Sequence, residues 1–451
     1  MTSPSSTSEP TRPGWAARPP QTLPTDCDSG RRIGWRFQVS IHAKPGAISD
    51  VSSDRTWLRR CVLPAAFVAS LYGWALLVST FIRPGSIGLN LIAPGTDWMV
   101  FYGAVRSALA GHLQLIMNGD DFTAYLNRAF ADWLSSPLEF RPWFYPPSFL
   151  VLLLPFAPLG FIGSYFAFQM ASGGLLVAAL KIGADAVSGR HVTAAVLLSP
   201  AAAINIADGQ CAFLVAAIMI FGIRWLETRP VLAGAVLGIL SFKPQFLLLV
   251  PVALLAGRQW RGLVAAACST LVLAGASAVI FGADLWTWWG AQAIANLASP
   301  EPKWIEYGRI WGHSLWACAF LLGLPDRLAS LLQLMAIAAS AAATFVAFRS
   351  SLGSDKQLAV LLAAAVLAAP HSGPYDAILL VAAVALWLAG EIKAPNRSHW
   401  LLGFGIWLVP LVSPPALVVA ARFAPLLTVA LIGLILSELR EPKRLEVGAV
   451  A

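Results

Sequence analysis

Charge is what this sequence has least of. Of its 451 residues only 12% are Asp, Glu, Lys or Arg and 57% are hydrophobic, whereas a soluble domain carries roughly 25% charged residues. Spread over so long a chain, the deficit leaves many segments with no charge at all. That excludes a soluble multidomain protein and a disordered chain. Paired cysteines are also missing. Cys27, Cys61, Cys211, Cys268 and Cys318 are odd in number and widely spaced, with no C-x-x-C among them. All but Cys27 sit in or beside apolar runs, where a thiol packs as a small hydrophobe. No H-E-x-x-H, Walker-type or G-x-G-x-x-G pattern occurs, so zinc, nucleotide-hydrolysis and flavin or nicotinamide chemistry lose their usual support. No metal and no cofactor is expected.

What is present is organised by its few charges. The formal net charge is +8, but the lysines and arginines stand in short clusters between apolar runs. That pattern belongs to cytoplasmic loops facing an anionic membrane lipid surface, not to nucleic-acid binding. The chain reads as an all-α polytopic membrane protein. Residues 1–56, rich in Pro, Ser, Thr and Arg and without a signal-peptide apolar stretch, read as a disordered cytoplasmic tail. A membrane domain follows over 57–440, and 441–451 form a second cytoplasmic tail. The uncharged run from Cys61 to Ile82 reaches about 33 Å as a helix, enough to cross the hydrocarbon.

Residues 83–147 form the longest polar region after the tail and read as a large outer loop. Within it Trp98, Phe101, Tyr102, Val105 and Leu109 share one helical face, which predicts an amphipathic helix on the outer membrane surface. Placing the clusters at Lys181 and Arg190, Arg224 and Arg229, Arg258 and Arg261, Arg349 and Lys356, Lys393 and Arg397, and Arg440 to Arg444 inside gives about twelve spans. Both termini are then cytoplasmic. The same placement requires 145–160 to be re-entrant and 231–256 to be a broken hairpin.

The outer turns then collect the polar residues that interrupt apolar runs: Asp97, Tyr145, Asp208, Gln210, Lys243, His313, His371 and Asp376. Lys243 is the sharpest of them, standing midway between Arg229 and Arg258 in an otherwise uncharged stretch. A lysine at bilayer-centre depth costs about 2.5–3.5 kcal/mol on insertion scales, so it should face a cavity or an anion such as phosphate, or snorkel to the interface. Pro244 favours a helix break beside it. Asp97, taken alone, reads as a helix cap. Asp208-Gly209-Gln210 reads as a turn, with Gln210 free to bond a sugar or a neighbouring helix. His371 and Asp376 bracket Ser372-Gly373-Pro374-Tyr375, and no local spacing makes a metal site of them with His313. Trp286, Trp288, Trp289, Trp304, Trp311 and Trp316 fit an interfacial aromatic belt, with sugar stacking the alternative.

Across about residues 94–390 these segments resemble glycosyltransferase family 87, whose members depend on polyprenyl-phosphate mannose. The resemblance rests on Gly95-Thr96-Asp97-Trp98, Phe144-Tyr145-Pro146-Pro147, Asp208-Gly209-Gln210 (Asn-Gly-Gln is usual in the family) and Ser241-Phe242-Lys243-Pro244-Gln245. It rests also on Gly312-His313-Ser314-Leu315, often Asn-Gln-Ser-Leu, and on Tyr375-Asp376. The family is similar to the GT-C class of multispanning enzymes with an extracytoplasmic active site. The resemblance therefore implies a GT-C-like bundle in the plasma (inner) membrane. It implies a hexose, most readily mannose, moved by inversion from a polyprenyl-phosphate donor to an extracytoplasmic glycan or glycolipid acceptor. By the same resemblance Asp97 is the catalytic base; Lys243, Tyr145, Asp208, Gln210, Gln245, His313, His371 and Asp376 are the candidate substrate contacts. The rival reading is a multispan transporter or lipid flippase, which would also carry charges and broken helices at mid-depth. A second break matching Lys243-Pro244 is not evident, and the long loop bearing Asp97 suits an enzyme better.

Overall fold

The computed structural model describes residues 57–82, 94–134, 136–184, 186–298, 312–390, 396–411 and 423–440. The two expected tails, the first part of the outer loop (83–93), Trp304, Trp311 and Lys393 lie outside the described residues.

Among the described residues every regular element is helical. Four helices are long and apolar enough to cross a membrane: Leu58–Phe81, Phe161–Lys181, Trp260–Phe281 and Asp326–Arg349. A fifth span results if Ser188–Leu197 and Pro200–Asp208, bent by 52° at their junction, count as one. Shorter apolar helices such as Ala212–Trp225, Pro374–Ala389 and Ala424–Ser437 stand beside them. The long helices expose Phe67, Met170, Leu271 and Met335, and Val279 is 87% exposed. Apolar surface on this scale is at home in hydrocarbon and not in water.

Two expected interruptions are present, each with a local cause. Segment 230–256 is divided into Pro230–Gly238, a 3-10 turn Ile239–Phe242, Pro244–Leu247 and Val250–Ala256. The break falls at Lys243, whose φ of −132° and ψ of 74° lie outside the helical region, which the ring of a following proline disfavours for its predecessor. Segment 145–160 holds only Ser148–Leu153 and a 3-10 turn to Phe156, far short of the roughly 20 residues a span needs. The Pro230–Gly238 helix lies tightly on Trp260–Phe281. A Cβ on Gly234 would fall 2.0 Å from the Gly262 carbonyl oxygen, and one on Gly238 2.3 Å from that of Ala266. Small residues let the two backbones meet, as in membrane bundles generally.

The loop helix Thr96–Leu109 differs from expectation. It buries Trp98, Phe101 and Val105, but also Met99, Val100 and Ala104, while Leu109 is exposed. Protein encloses it on several sides, so it is not a one-faced helix resting on lipid. The amphipathic helix of this loop is Gly119–Ala129, which buries Phe122 and Leu126 and is capped by the Asn118 side chain accepting from the amides of Asp120 and Asp121.

Charge gathers at one end of the bundle. Arg224 pairs with Asp355 at 2.8 Å, Lys356 pairs with Glu438, and the Trp387 indole donates to the same glutamate. The 15-residue Ser354–Ala368 helix carries the chain about 22 Å away from that end at 1.5 Å per residue. Ala212–Trp225 runs between the same two ends, with Arg224 at one and Gln210-Cys211 just before the other.

Candidate active site

At this second end, five of the sequence-selected residues meet in two adjoining groups. Asp97 lies in the first turn of Thr96–Leu109, where the helix dipole favours a carboxylate. It is not a helix cap. The cap position is Gly95, at φ 75°, and no side chain bonds there. Instead Asp97 Oδ2 accepts a hydrogen bond from Gln210 Nε2 at 2.7 Å.

The turn that delivers Gln210 requires glycine. Gly209 takes φ 73° at the end of Pro200–Asp208, and a Cβ there would lie 2.6 Å from Cβ of Trp98. With no side chain at 209, the turn closes onto the start of the Asp97 helix, where the Gly95 amide donates to the Ala207 carbonyl at 2.6 Å. Asp208-Gly209-Gln210 is thus both a turn and a contact. Trp98 is held in turn by a bond from its indole to Ser164 Oγ at 2.9 Å.

A chain of buried amides fixes which way Gln210 points. Asn205 Nδ2 donates to Gln169 Oε1 at 3.0 Å, and Gln169 Nε2 donates to the Gln210 carbonyl at 3.0 Å. Asn205 Oδ1 accepts from the Ala212 amide at 3.0 Å. Gln210 Oε1 accepts from the Cys211 amide at 3.1 Å, so its NH2 group must face the carboxylate. Tyr145 Oη donates to Gln210 Oε1 at 3.4 Å and lies 3.9 Å from Cys211 Sγ. Its ring is wedged against Phe101 and Phe149, at centroid distances of 5.0 and 4.7 Å.

The second group centres on Lys243, held at the Pro244 break. Its Nζ is 2.9 Å from Asp376 Oδ1, and both side chains are buried, the residues being 3% and 1% exposed. Asp376 Oδ2 also accepts the Gly373 amide at 3.0 Å. The rings of Phe246 and Tyr375 stand 5.1 and 5.2 Å from the ammonium. The Pro374–Asp376 turn packs on Pro200–Asp208, so the groups abut. The charges of both Lys243 and Asp376 reach Asp97.

Burial pushes the Asp97 carboxyl above its ordinary value. The positive charge of Arg141, the Gln210 hydrogen bond and Lys243 pull in the opposite direction. Burial likewise keeps the Tyr145 phenol well above its usual range, so it is a neutral donor at pH 7. His313 is drawn down to about 4 by burial and is an uncharged imidazole at neutral pH.

The remaining candidates are spread around this centre. Asp208, half-buried, is near enough for its charge to oppose that of Asp97. The His313 amide donates to the Ser372 carbonyl at 2.8 Å, which ties Gly312-His313-Ser314 to the loop bearing Asp376. Ser314 itself caps Leu315–Leu321. His371 is exposed on that loop. Gln245 is half-buried on Pro244–Leu247 and makes no hydrogen bond among the described residues.

Four participants were not selected from the sequence: Arg141, Gln169, Asn205 and Cys211. Asn205 and Gln169 carried a signal, as lone amides inside apolar helices. Arg141 carried almost none, because one more arginine in a polar loop is unremarkable. It is buried, with its amide donating to Thr123 Oγ1 at 2.9 Å. Among the described residues no three His, Cys, Asp or Glu side chains are grouped to hold a metal ion.

The sequence model of one family, glycosyltransferase family 87, matches residues 143–370. That span holds Tyr145, the Gln210 turn, Lys243 and His313, and it ends just before His371. No curated protein and no solved structure matches the chain.

Proposed function

Since the chain belongs to glycosyltransferase family 87 and is a helical membrane protein, we propose that it moves a hexose, in the first place mannose, from a polyprenyl-phosphate donor to an extracytoplasmic glycan or glycolipid acceptor. The observation that supports this most is the Asp97–Gln210 contact. It sets a carboxylate of raised proton affinity beside two buried cations, Arg141 and Lys243. Inverting transfer needs one group to take a proton and another to steady a departing phosphate.

In this reading Asp97 accepts the proton of the acceptor hydroxyl as its oxygen attacks the anomeric carbon from the face opposite the phosphate. The bond from that carbon to the phosphate oxygen breaks, and the phosphate leaves with the electron pair. Lys243 and Arg141 offset its charge. An ammonium has three donor hydrogens, and Asp376 engages one, keeping Lys243 charged and aimed while the others can serve the phosphate. Gln210 holds Asp97 in line, and Tyr145, whose hydroxyl hydrogen goes to Gln210 Oε1, can accept from a sugar hydroxyl. Asp208, Gln245, His313 and His371 complete the surroundings of the substrates.

The enclosing architecture would be a GT-C-like bundle of about twelve spans in the plasma membrane, with the site outside and both termini cytoplasmic. It would be reached if the bent pair and the shorter apolar helices cross the membrane as well. Purified protein in lipid, given polyprenyl-phosphate mannose, glucose and arabinose in turn, tests the reading. Sugar release to an acceptor from the mannose donor is the expected result. Movement of intact lipid across the bilayer without transfer would favour a flippase instead.

A further inference from the structure

One cleft in the described structure lies beside the catalytic cluster without being part of it. It encloses about 340 Å3 between the start of Gly119–Ala129, the segment 140–144 and the tryptophan-rich helix Asp284–Ala298. This is the size of a small-molecule site. Trp143, Trp288 and Trp289 give it flat apolar walls, and Asn118, Asp120 and Gln292 give it polar groups. Aromatic faces with a few amides and a carboxylate suit a saccharide, whose C–H faces stack while its hydroxyls hydrogen-bond.

The cleft is built rather than incidental. Trp289 Nε1 donates to the Phe144 carbonyl at 3.0 Å, clamping the tryptophan helix to the segment that ends in Tyr145. A Cβ on Gly119 would lie 2.8 Å from the Phe140 ring and 2.9 Å from Pro142, so only glycine allows that wall to close. Trp143 is 2% exposed, and its indole nitrogen has no hydrogen-bond partner among the described residues. Its ring centroid lies 5.6 Å from that of Tyr145, which reaches Gln210 and thence Asp97.

We propose that this cleft is the subsite for the acceptor, a neutral saccharide, and that Trp288 is its stacking wall. The assignment rests on the transferase reading above. Among the described residues no lysine or arginine lines the cleft and Asp120 does, a lining that suits a neutral saccharide better than a phosphate. Through the Trp143–Tyr145 contact the cleft adjoins the Gln210 and Asp97 side of the site.

The test uses the full-length protein in lipid nanodiscs, with mannotriose as the neutral probe and mannose 1-phosphate as the anionic one. Trp288→Ala should weaken mannotriose binding about tenfold, the factor that 1.4 kcal/mol represents, and raise the acceptor KM by a similar factor. Trp288→Phe should retain both within about threefold, by the same scale. Mannose 1-phosphate binding and the donor KM should be unchanged in both variants. An unchanged acceptor KM in a folded Trp288→Ala protein, or an equal rise in the donor KM, overturns the assignment while leaving the transferase reading intact. Wild-type protein that binds mannotriose through Trp288 yet transfers no sugar from any lipid donor would sink the transferase reading and keep the cleft as a saccharide site.

Discussion

Replacing Lys243 by Met leaves Asp376, 1% exposed, as a buried carboxylate with only the Gly373 amide for company. Removing one partner of a buried ion pair costs about 3–5 kcal/mol, whereas replacing both with neutral groups of similar shape is often neutral or better. The double variant Lys243→Met with Asp376→Asn carries no charge, and its new amide oxygen can still accept from Gly373. Thermal unfolding of the purified protein in detergent should therefore show a large loss of stability for Lys243→Met and its recovery in the double variant. Sugar transfer should not recover, because the charge that steadies the leaving phosphate is still gone. A double variant that regains both stability and transfer within a few-fold of wild type would refute a role for Lys243 in the reaction and reduce the pair to architecture. If Lys243→Met unfolds no earlier than wild type, the buried pair itself is wrong.

Gln210→Leu removes a hydrogen bond to a charged group, worth about 1.5–3 kcal/mol, and transfer should fall about 10- to 100-fold, since each 1.4 kcal/mol is tenfold. Its pH profile gives an independent check. Asp97 acts only when ionised, burial raises its pKa and the Gln210 bond lowers it. Activity should therefore fall as the pH drops through the raised value, and the acid limb should lie at still higher pH in Gln210→Leu; an unmoved limb would separate Gln210 from the base. Sidedness is open to cysteine labelling in a cysteine-free background. Gly290→Cys, where a side chain meets nothing within 4 Å, should react with an impermeant reagent outside the cell, and Ser398→Cys, exposed in the first turn of the Arg397–Leu408 helix, should not. Reaction of both from one side would contradict the proposed topology.

The parts of the fold that were legible were those where one residue contradicts its neighbours. Lys243 in an uncharged run, followed by proline, marked a break that the backbone angles repeat. The basic clusters marked an end of the bundle, and Arg224, Lys356 and their acidic partners do meet there. Pairings were not legible. Asp97 and Gln210 are 113 residues apart, and Lys243 and Asp376 are 133 apart. Local pattern holds no information on which polar residues share a turn of space. Lys243 looked like a cation awaiting a phosphate because its carboxylate partner lay so far along the chain. The Thr96–Leu109 helix misled in the opposite way. Its large residues mark one face, but Gly103 and Ala104 allow close contact on the other, with Leu126 packed where a Cβ on Gly103 would sit at 2.6 Å. Small residues are easily read as neutral when they are in fact interface.

Asp97→Asn tests the central claim most directly. Asparagine keeps the size of the side chain and can still meet Gln210 through its oxygen, but it cannot take a proton from an acceptor hydroxyl. General-base catalysis is typically worth about 10²–10⁴ in rate. The account predicts that purified Asp97→Asn binds polyprenyl-phosphate mannose as wild type does and unfolds at the same temperature, yet transfers sugar at least about a hundredfold more slowly. Transfer within a few-fold of wild type would contradict it, and would leave Asp97 as the anchor of the Gln210 turn and nothing more.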